Sequence, residues 1–169
     1  MKIRTLEDAR NFVKDVKVCT IFPSDKCEHT SLYENVDLPE KQSGEQGWGE
    51  RMEAVWPWKN QLPTEYPNEI YYGKIKGGFA VLMEMNYLAD IHFPAKYKPV
   101  ESLNQLAQTI YDYIRIEPWI NTDLRNEIIP IVGCSKSQFD TAIKNLQISM
   151  NNVLGMQVRK RTKHLLYKM

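Results

Sequence analysis

The sequence predicts an α+β protein in which a small N-terminal α/β unit with a β-hairpin is followed by a C-terminal winged helix. Apolar residues at three- and four-residue spacing follow capping residues in both halves of the chain and indicate helices. Two β-rich runs flank Gly77-Gly78, which is typical of a hairpin. After residue 101, three helical patterns precede two short apolar runs around a basic tip. That order is the order of a winged helix, a variant of the helix-turn-helix.

The N-terminal unit is expected to cover residues 1–93. Thr5-x-x-Asp8 has the character of a capping box and predicts a helix that starts near residue 6. The apolar run "KVCTIFP" follows and predicts a buried strand. Ser31-x-x-Glu34 is a second capping box and indicates a further short helix.

Residues 55–63, "VWPWKNQLP", raise the question of whether the first half of the chain binds a ligand. The apolar spacing predicts a helix over about 48–56 whose buried face contains Trp48, Met52, Val55 and Trp56. Pro57 is expected either to end this helix or to kink its last turn, because proline lacks the backbone N–H that a helix interior needs. Trp58 and Lys59 then become candidates for a surface contact. The sequence favours the other interpretation, a tryptophan corner packed on the sheet.

The segment "NEIYYGKIKGGFAVLMEM", residues 68–85, predicts two strands joined by the glycine turn. Asn86 is expected to cap a short helix after the second strand. Residues 94–101, "PAKYKPVE", contain two prolines and little periodicity, so we interpret them as a linker. The winged-helix unit is expected to cover residues 102–169.

Capping residues predict the first two helices of the C-terminal unit. Ser102 precedes the first helical pattern, and Asn121 precedes the second. Pro130 and Gly133 are expected to end the second helix, since neither residue favours a helix interior.

The third helix and the residues after it carry the candidate DNA contacts. Ser135-x-x-Gln138 is a capping box that predicts a helix from about residue 136 to residue 150. Its outward side chains would enter the major groove of duplex DNA, while the basic tip would contact phosphates. The predicted DNA-binding residues are Lys136, Ser137, Lys144, Arg159, Lys160, Arg161 and Lys163. Asp140 lies on the same helix face and opposes a tight fit, because a carboxylate near phosphates is unfavourable.

The distribution of charge favours a polyanionic partner at the C-terminal end. Residues 130–169 contain seven lysines and arginines against one acidic residue, a balance of +6, whereas residues 1–129 contain 15 basic and 20 acidic residues, a balance of −5. A cationic segment in a nearly neutral chain is typical of nucleic-acid contact. The alternative partner is an acidic protein or a second copy of this chain, because winged helices also serve as docking and dimerising modules.

Other classes of function find little support. No run of about 18 or more apolar residues occurs, so we expect no membrane span. Three widely spaced cysteines, Cys19, Cys27 and Cys134, are unlike a disulfide framework and favour a reducing cytoplasm. Cys27-x-His29 lacks a second close pair that would complete a zinc site. We therefore expect no metal and no cofactor.

Four segments of the chain resemble one protein family. In chain order they are "TLEDARNFVKDVKVCTIFP", "SLYENV", "WPWKNQLP" and "YYGKIKGGFAVLMEMNYL". They look like the AlkZ-related family, whose members are relatives of the bacterial winged-helix DNA glycosylases that repair alkylated purines and crosslinks. The resemblance spans nearly the whole chain and implies a DNA-associated role, regulatory or accessory to repair.

The resemblance also bears on catalysis. In the longer glycosylases of this kind, which contain several tandem modules, activity is attributed to a Gln-x-Gln or Gln-x-Asp pair. We expect the present chain to lack such a pair and assign no catalytic residue. A pocket for an extruded base is also harder to build in 169 residues. The expected function is therefore non-catalytic binding of duplex DNA, and a glycosylase-like enzyme remains the alternative.

Overall fold

A computed structural model describes residues 2–117 and 119–151 of the chain. These residues combine helices with a small antiparallel sheet, which confirms the predicted α+β class. No helix within these two ranges is long and apolar enough to cross a membrane.

The chain divides into two compact units, and neither is continuous in sequence. The first unit consists of the described residues up to Gly73 together with Phe79–His92. The second consists of Lys74–Gly78 together with the described residues from Phe93 onward. The tip of the hairpin, including Lys74 at the end of its first strand, therefore belongs to the second unit. The other residues of the two strands belong to the first. The finer boundaries expected around the linker at 94–101 stay a prediction.

Helix α1, Leu6–Val16, opens the first unit and is set by its capping box. The Thr5 side chain accepts a hydrogen bond from the backbone N–H of Asp8, and the Asp8 carboxylate accepts one from the backbone N–H of Thr5. The predicted start near residue 6 is thus confirmed. The buried side of α1 consists of Ala9, Phe12 and Val13.

The sheet of the described chain has the strand order β1-β3-β2. The strands are β1 (Val18–Thr20), β2 (Ile70–Lys74) and β3 (Ala80–Glu84). Strand β1 pairs antiparallel with β3, so that Cys19 lies opposite Leu82. In the turn between β2 and β3, Gly77 and Gly78 have φ values of 91° and 85°. This left-handed region favours glycine, and the predicted glycine hairpin is confirmed.

The side chain of Tyr71 in β2 occupies the space that a side chain at residue 73 would need. Side chains two residues apart share one face of a strand. The fully buried Tyr71 ring lies across Gly73, so that a Cβ at residue 73 would sit 2.2 Å from the Tyr71 hydroxyl oxygen. Burial raises the pKa of Tyr71, and its hydroxyl finds no hydrogen-bond partner among the described residues. Only glycine fits at residue 73.

A short helix α2 (Leu32–Asn35) and a long helix α3 (Glu50–Glu65) complete the first core. The side chain of Ser31 caps α2 by accepting a hydrogen bond from the backbone N–H of Glu34, at the position that the sequence predicted. The two helices pack with α1 around apolar side chains of the sheet, including Cys19 and Leu82.

Helix α3 differs most from the sequence prediction. It continues through Pro57 and Pro63, whereas the predicted helix ended at Pro57. Trp48 and Trp56 were expected to be buried, but they are 55% and 44% exposed. The buried side chains of α3 are Val55, Trp58 and Leu62.

Tertiary packing explains the changed phase of α3. Val55, Trp58 and Leu62 recur at steps of three and four residues, so they form a single stripe along the helix. A proline in a helix interior costs about 3 kcal/mol. Burial of one large apolar side chain contributes about 1.5–3 kcal/mol, so three such side chains contribute an amount comparable to the losses at two prolines. The stripe of buried side chains therefore sets the register of the helix, and the prolines do not.

Replacement of Trp58 by alanine should destabilise the protein by about 3–5 kcal/mol, because it empties a buried site. The matched control is Trp56→Ala on the exposed side of the same helix, which should cost about 1 kcal/mol or less. Urea unfolding followed by circular dichroism measures both free energies. Equal losses in the two variants would contradict the placement of Trp58 in the core.

An ion-pair network joins α1 to the segment before β2. Arg10 donates to both carboxylate oxygens of Glu69, with Nη2 2.6 Å from Oε1 and Nε 3.0 Å from Oε2. Lys14 donates to the same carboxylate at 2.7 Å, and the Arg10 guanidinium also lies 4.7 Å from the centre of the Tyr66 ring. The hydrogen bonds from Lys14 and Arg10 hold the pKa of Glu69 below its usual range.

The lowered pKa of Glu69 predicts a pH dependence of stability. Its ion pairs stabilise the fold above the pKa of the unfolded glutamate, and this contribution is lost as the pH falls through the folded-state pKa. Glu69→Gln should lower stability near neutral pH by about 1 kcal/mol, after allowance for the partly exposed network. It should also weaken the fall in melting temperature below about pH 5.

Glu65→Gln is the matched control for Glu69→Gln. Glu65 ends α3, is exposed, and makes no ion pair among the described residues. Melting temperatures measured from about pH 3 to about pH 7 should show the altered profile in Glu69→Gln alone. Identical profiles in the two variants would contradict a stabilising role of the network.

A helical stretch leads from β3 into the second unit. It consists of α4 (Met85–Tyr87), a π-helical turn (Leu88–His92) and α5 (Phe93–Lys96). The carboxylate of Glu84 accepts hydrogen bonds from the backbone N–H groups of Asn86 and Tyr87. The cap predicted at Asn86 is therefore wrong, because a longer acceptor at the end of β3 reaches both N–H groups.

Three helices form the core of the second unit. They are α6 (Gln105–Ile114), α7 (Asn121–Val132) and α8 (Lys136–Ile148). Each contributes at least two buried apolar side chains, which are Ala107, Ile110, Leu124, Ile128, Phe139, Ala142, Ile143 and Leu146. The three predicted helices of this unit are thus present in the predicted order.

The caps of α6 and α7 differ from the prediction. The Asn104 side chain caps α6 by accepting from the backbone N–H of Ala107 at 2.9 Å, whereas Ser102 lies in a preceding 3₁₀ turn. Ile120 precedes α7 without a side-chain cap, so Asn121 is already helical. These differences arise because the 3₁₀ turn places Asn104, two residues after Ser102, at the helix entrance.

Proline at position 130 does not end α7. The helix continues to Val132, and Gly133 then adopts φ 70° and closes it, as the sequence predicted for Gly133. Pro130 removes one backbone hydrogen bond, but Ile128 is fully buried and holds this end of α7 on the core.

The capping box of α8 is confirmed. Ser135 Oγ accepts from the backbone N–H of Gln138, and the Gln138 side chain accepts from the backbone N–H of Ser135. The two strands expected around Arg159–His164 lie outside the described residues. The three helices agree with a winged helix, and the wing itself stays a prediction.

Candidate nucleic-acid interface

The outward side of α8 and the tip of the β2–β3 hairpin line an open groove. Its volume is about 500 Å³. The α8 side chains recur at one- and three-residue steps, which places them on one face of the helix. The lining residues are Lys74, Lys136, Ser137, Asp140, Thr141 and Lys144. All six belong to the second unit.

The groove is lined by three lysines and one acidic residue and therefore has an excess of positive charge. Within the described ranges, Lys74, Lys136 and Lys144 form no ion pair with a carboxylate. The hydroxyls of Ser137 and Thr141 likewise engage no hydrogen bond among the residues that the structure describes. Three ammonium groups and two hydroxyl donors therefore face a space that can hold an anion.

Asp140 is the acidic residue of the groove, and its charge is compensated from α7. Arg125 Nη2 donates to Asp140 Oδ1 at 2.7 Å, and the Arg125 side chain is largely buried beside the Phe139 ring. Asp140 should therefore repel phosphates less than an unpaired carboxylate would, because the Arg125 guanidinium lies against it. Sequence reasoning considered Asp140 alone and had no means of finding Arg125, which is 15 residues away.

The hairpin tip lies close to the C-terminal half of α8. A Cβ added at Gly78 would lie 3.3 Å from Cδ of Lys144. Gly78 itself has φ 85°, so a larger residue here would strain the turn and press on Lys144. The turn therefore determines how near the hairpin backbone approaches the helix.

The structure brings some predicted site residues together and adds one. Lys136, Ser137 and Lys144, all predicted as DNA-binding residues, share the groove. Lys74 was not predicted, because its position next to α8 results from tertiary folding. The one signal in the sequence was the glycine turn that begins three residues after Lys74, which indicates that Lys74 lies near the tip of a hairpin. The predicted contacts Arg159, Lys160, Arg161 and Lys163 lie outside the described residues.

Trp58, a candidate surface contact in the sequence, lies in the core of the first unit with 9% of its area exposed. That prediction is wrong, because α3 continues beyond Pro57 and turns Trp58 inward. Lys59 is half-buried, and its Nζ lies 4.3 Å from the centre of the exposed Trp56 ring. Trp56 also meets Trp48 edge to face at 5.5 Å.

These exposed tryptophans do not form a good site for a polyanion. The first turn of α3 carries Glu50 and Glu53, and Glu53 lies one helical turn before Trp56. Carboxylates at this position repel phosphates and leave Lys59 as the nearest compensating charge. The cationic groove of the second unit is the better candidate.

The described cysteines and histidines do not come together in a group that could hold a metal ion. No group of three His, Cys, Asp or Glu side chains within the described ranges could hold a metal ion. Cys19 lies in β1 and is fully buried, which raises the pKa of its thiol to about 12. Cys27 and Cys134 are half-buried free thiols.

Comparison with known proteins adds a family to this geometry. A family model described as AlkZ related matches residues 3–164, which is nearly the whole chain. The chain belongs to the AlkZ-related family. The resemblance inferred from the four sequence segments is confirmed, and membership relates the chain to DNA-repair glycosylase-like proteins. No curated protein and no solved structure gives a match.

This AlkZ-related chain does contain a Gln-x-Asp sequence, contrary to our expectation. It is Gln138-Phe139-Asp140 in α8. Side chains at i and i+2 of a helix point to different sides, so Gln138 and Asp140 do not face one bond. Gln138 caps α8 and Asp140 pairs with Arg125, while Phe139 is fully buried. Each of the three residues thus has a structural role.

The capping role of Gln138 in the AlkZ-related chain is testable. Gln138→Ala should lower the free energy of unfolding by about 0.5–1 kcal/mol, because the N–H of Ser135 loses its acceptor. Gln105→Ala is the control, since Gln105 is exposed at the start of α6 and its side chain makes no hydrogen bond among the described residues. Urea unfolding of both variants measures the difference. Equal stabilities would argue against the cap.

Proposed function

We propose that this protein binds duplex DNA without catalysing a reaction on it, in a regulatory or accessory role in DNA repair. The observation that carries the proposal is the groove on α8, where three lysines that form no ion pair with any described residue lie on one surface with two hydroxyls. Phosphate contacts from lysine supply the sequence-independent part of DNA affinity. Membership of the AlkZ-related family supports a role connected with DNA repair.

The basic residues that follow α8 are proposed as the second part of this interface. Arg159, Lys160, Arg161 and Lys163 come soon after the helix in the sequence and would form the wing of a winged helix. Together with Lys136, Ser137 and Lys144 they constitute the proposed DNA-binding set. Cysteine usage supports a cytoplasmic location for this activity.

The absence of catalysis is proposed from the setting of the Gln-x-Asp sequence. A glycosylase needs a pair of side chains that face an extruded base in a pocket. Gln138 and Asp140 diverge on α8 and are held by Ser135 and Arg125. A pair engaged in this way would have to leave its partners before it could act on a base.

DNA binding should depend steeply on salt. Anisotropy of a labelled random duplex should show log affinity falling with log salt by about 0.9 for each phosphate contact. A variant with Arg159, Lys160, Arg161 and Lys163 changed to alanine should lower that slope by about 3 to 4 if each side chain contacts one phosphate. The control removes the same charge from the first unit at four exposed lysines, Lys2, Lys17, Lys26 and Lys41, and should leave the slope nearly unchanged.

Two outcomes would overturn the proposed function. Failure of the wild-type protein to bind any duplex at low salt would exclude DNA binding by this chain, and a protein partner for the basic segment would be tested next. Release of an N-alkylated base from a duplex, lost in Gln138→Ala and Asp140→Asn, would show catalysis. Wild-type protein is expected to release no base above the rate of buffer alone.

A further inference from the structure

We infer that the groove between α8 and the hairpin tip binds a backbone phosphate of the DNA, so that α8 lies along the backbone and does not insert into the major groove. The inference rests on the proposed DNA-binding function and specifies its mode. It assigns Lys74, on the hairpin, a ligand-binding role beside Lys136 and Lys144. It also predicts binding that is independent of DNA sequence.

The donor set fits a phosphodiester. Such a group carries one negative charge, shared by two non-bridging oxygens that each accept several hydrogen bonds. Lys74 approaches from the hairpin, and Lys136 and Lys144 approach from positions eight residues apart on α8. Ser137 and Thr141 lie between the two α8 lysines, one turn apart, and offer neutral donors. Charge-assisted hydrogen bonds of this type are short and strong.

The charge and size of the groove support the same ligand. Asp140 lines the groove, but Arg125 neutralises it, so the surplus of three lysines remains. A volume of about 500 Å³ falls within the range of about 300–1,000 Å³ that is usual for ligand sites. A phosphate with its adjoining sugar can enter from solvent, because the groove is open on one side.

The hairpin limits how α8 can approach DNA. An α-helix with its side chains is about 10–12 Å across, and the major groove of B-DNA is about 12 Å wide. A bare helix therefore fills that groove. The face of α8 that carries Thr141 and Lys144 has Lys74 and the Gly78 backbone beside it, with a Cβ at Gly78 only 3.3 Å from Lys144. The hairpin tip therefore adds width to this face of α8 beyond that of a bare helix, which disfavours insertion into the major groove and favours contact with the phosphate backbone through the open groove.

The test compares two lysines of the same hairpin tip. Lys74 lines the groove, whereas Lys76 is exposed at the same turn and does not. Both substitutions to alanine remove one charge, so long-range attraction changes equally. On a random duplex at fixed salt, Lys74→Ala should weaken binding about tenfold and Lys76→Ala less than about threefold. Equal effects would overturn the inference and leave the proposed function intact.

A neutral substitution separates hydrogen bonding from net charge. Thr141→Val removes a hydroxyl with little change in shape and no change in charge. It should weaken binding about fivefold to tenfold without changing the slope of log affinity against log salt. Wild-type affinity for Thr141→Val, with its circular dichroism spectrum unchanged, would show that no ligand contacts this side of the groove and would overturn the inference.

A panel of duplexes tests the mode of binding. Duplexes of different sequence and equal length should bind within about threefold of one another, because phosphates carry no sequence information. Preference for one sequence by about a hundredfold or more would show base readout and overturn the inference. That result would leave DNA binding, and thus the proposed function, in place.

Free phosphate is the other source of the same chemistry. Inorganic phosphate can be titrated at constant ionic strength while the melting temperature of wild type and Lys74→Ala is followed. We expect phosphate to compete with the duplex for binding to the wild-type protein. This competition should be lost in Lys74→Ala. If phosphate stabilises the wild type through Lys74 but no duplex binds, the groove serves a small phosphorylated ligand. Both the inference and the proposed function then fail.

Discussion

The turn at Gly77-Gly78 is the constraint on which both units depend. The strands that it joins, β2 and β3, supply two of the three strands of the described sheet, and the residues around it belong to the second unit. Positive φ angles at both glycines allow the tight turn that joins these two strands. The turn thus lies between two strands of the first unit while its own residues belong to the second.

Local signals in the sequence were sufficient where the interactions themselves are local. The capping boxes at Thr5 and Ser135 act within four residues, and the glycine turn needs only the conformational freedom of glycine, so all three were predicted correctly. The phase of α3 was not predictable in this way. Pro57 set the end of the predicted helix, but in the fold the burial of Val55, Trp58 and Leu62 favours a helix that continues through both prolines.

The candidate site was predicted in part for the same reason. The outward side of α8 follows from helical periodicity, which placed Lys136, Ser137 and Lys144 on one face. The partners of that face come from distant parts of the chain. Lys74 and Arg125 lie beside α8 only in the folded protein. The spacing of residues in the sequence therefore predicts neither the lysine that the hairpin adds to the groove nor the ion pair that neutralises Asp140. A chain of nearly neutral composition gains a cationic surface from this arrangement.

In the segment "YYGK", residues 71–74, the first three residues contribute to the interior of the first unit and the fourth lines the groove. Tyr71 is fully buried, and Gly73 is required because the Tyr71 ring occupies the space of any side chain there. Tyr72 packs against the first core. Lys74 alone reaches the groove. A substitution at any of the first three positions would disturb the interior of the first unit, whereas a substitution of Lys74 changes the charge of the groove at little cost to folding.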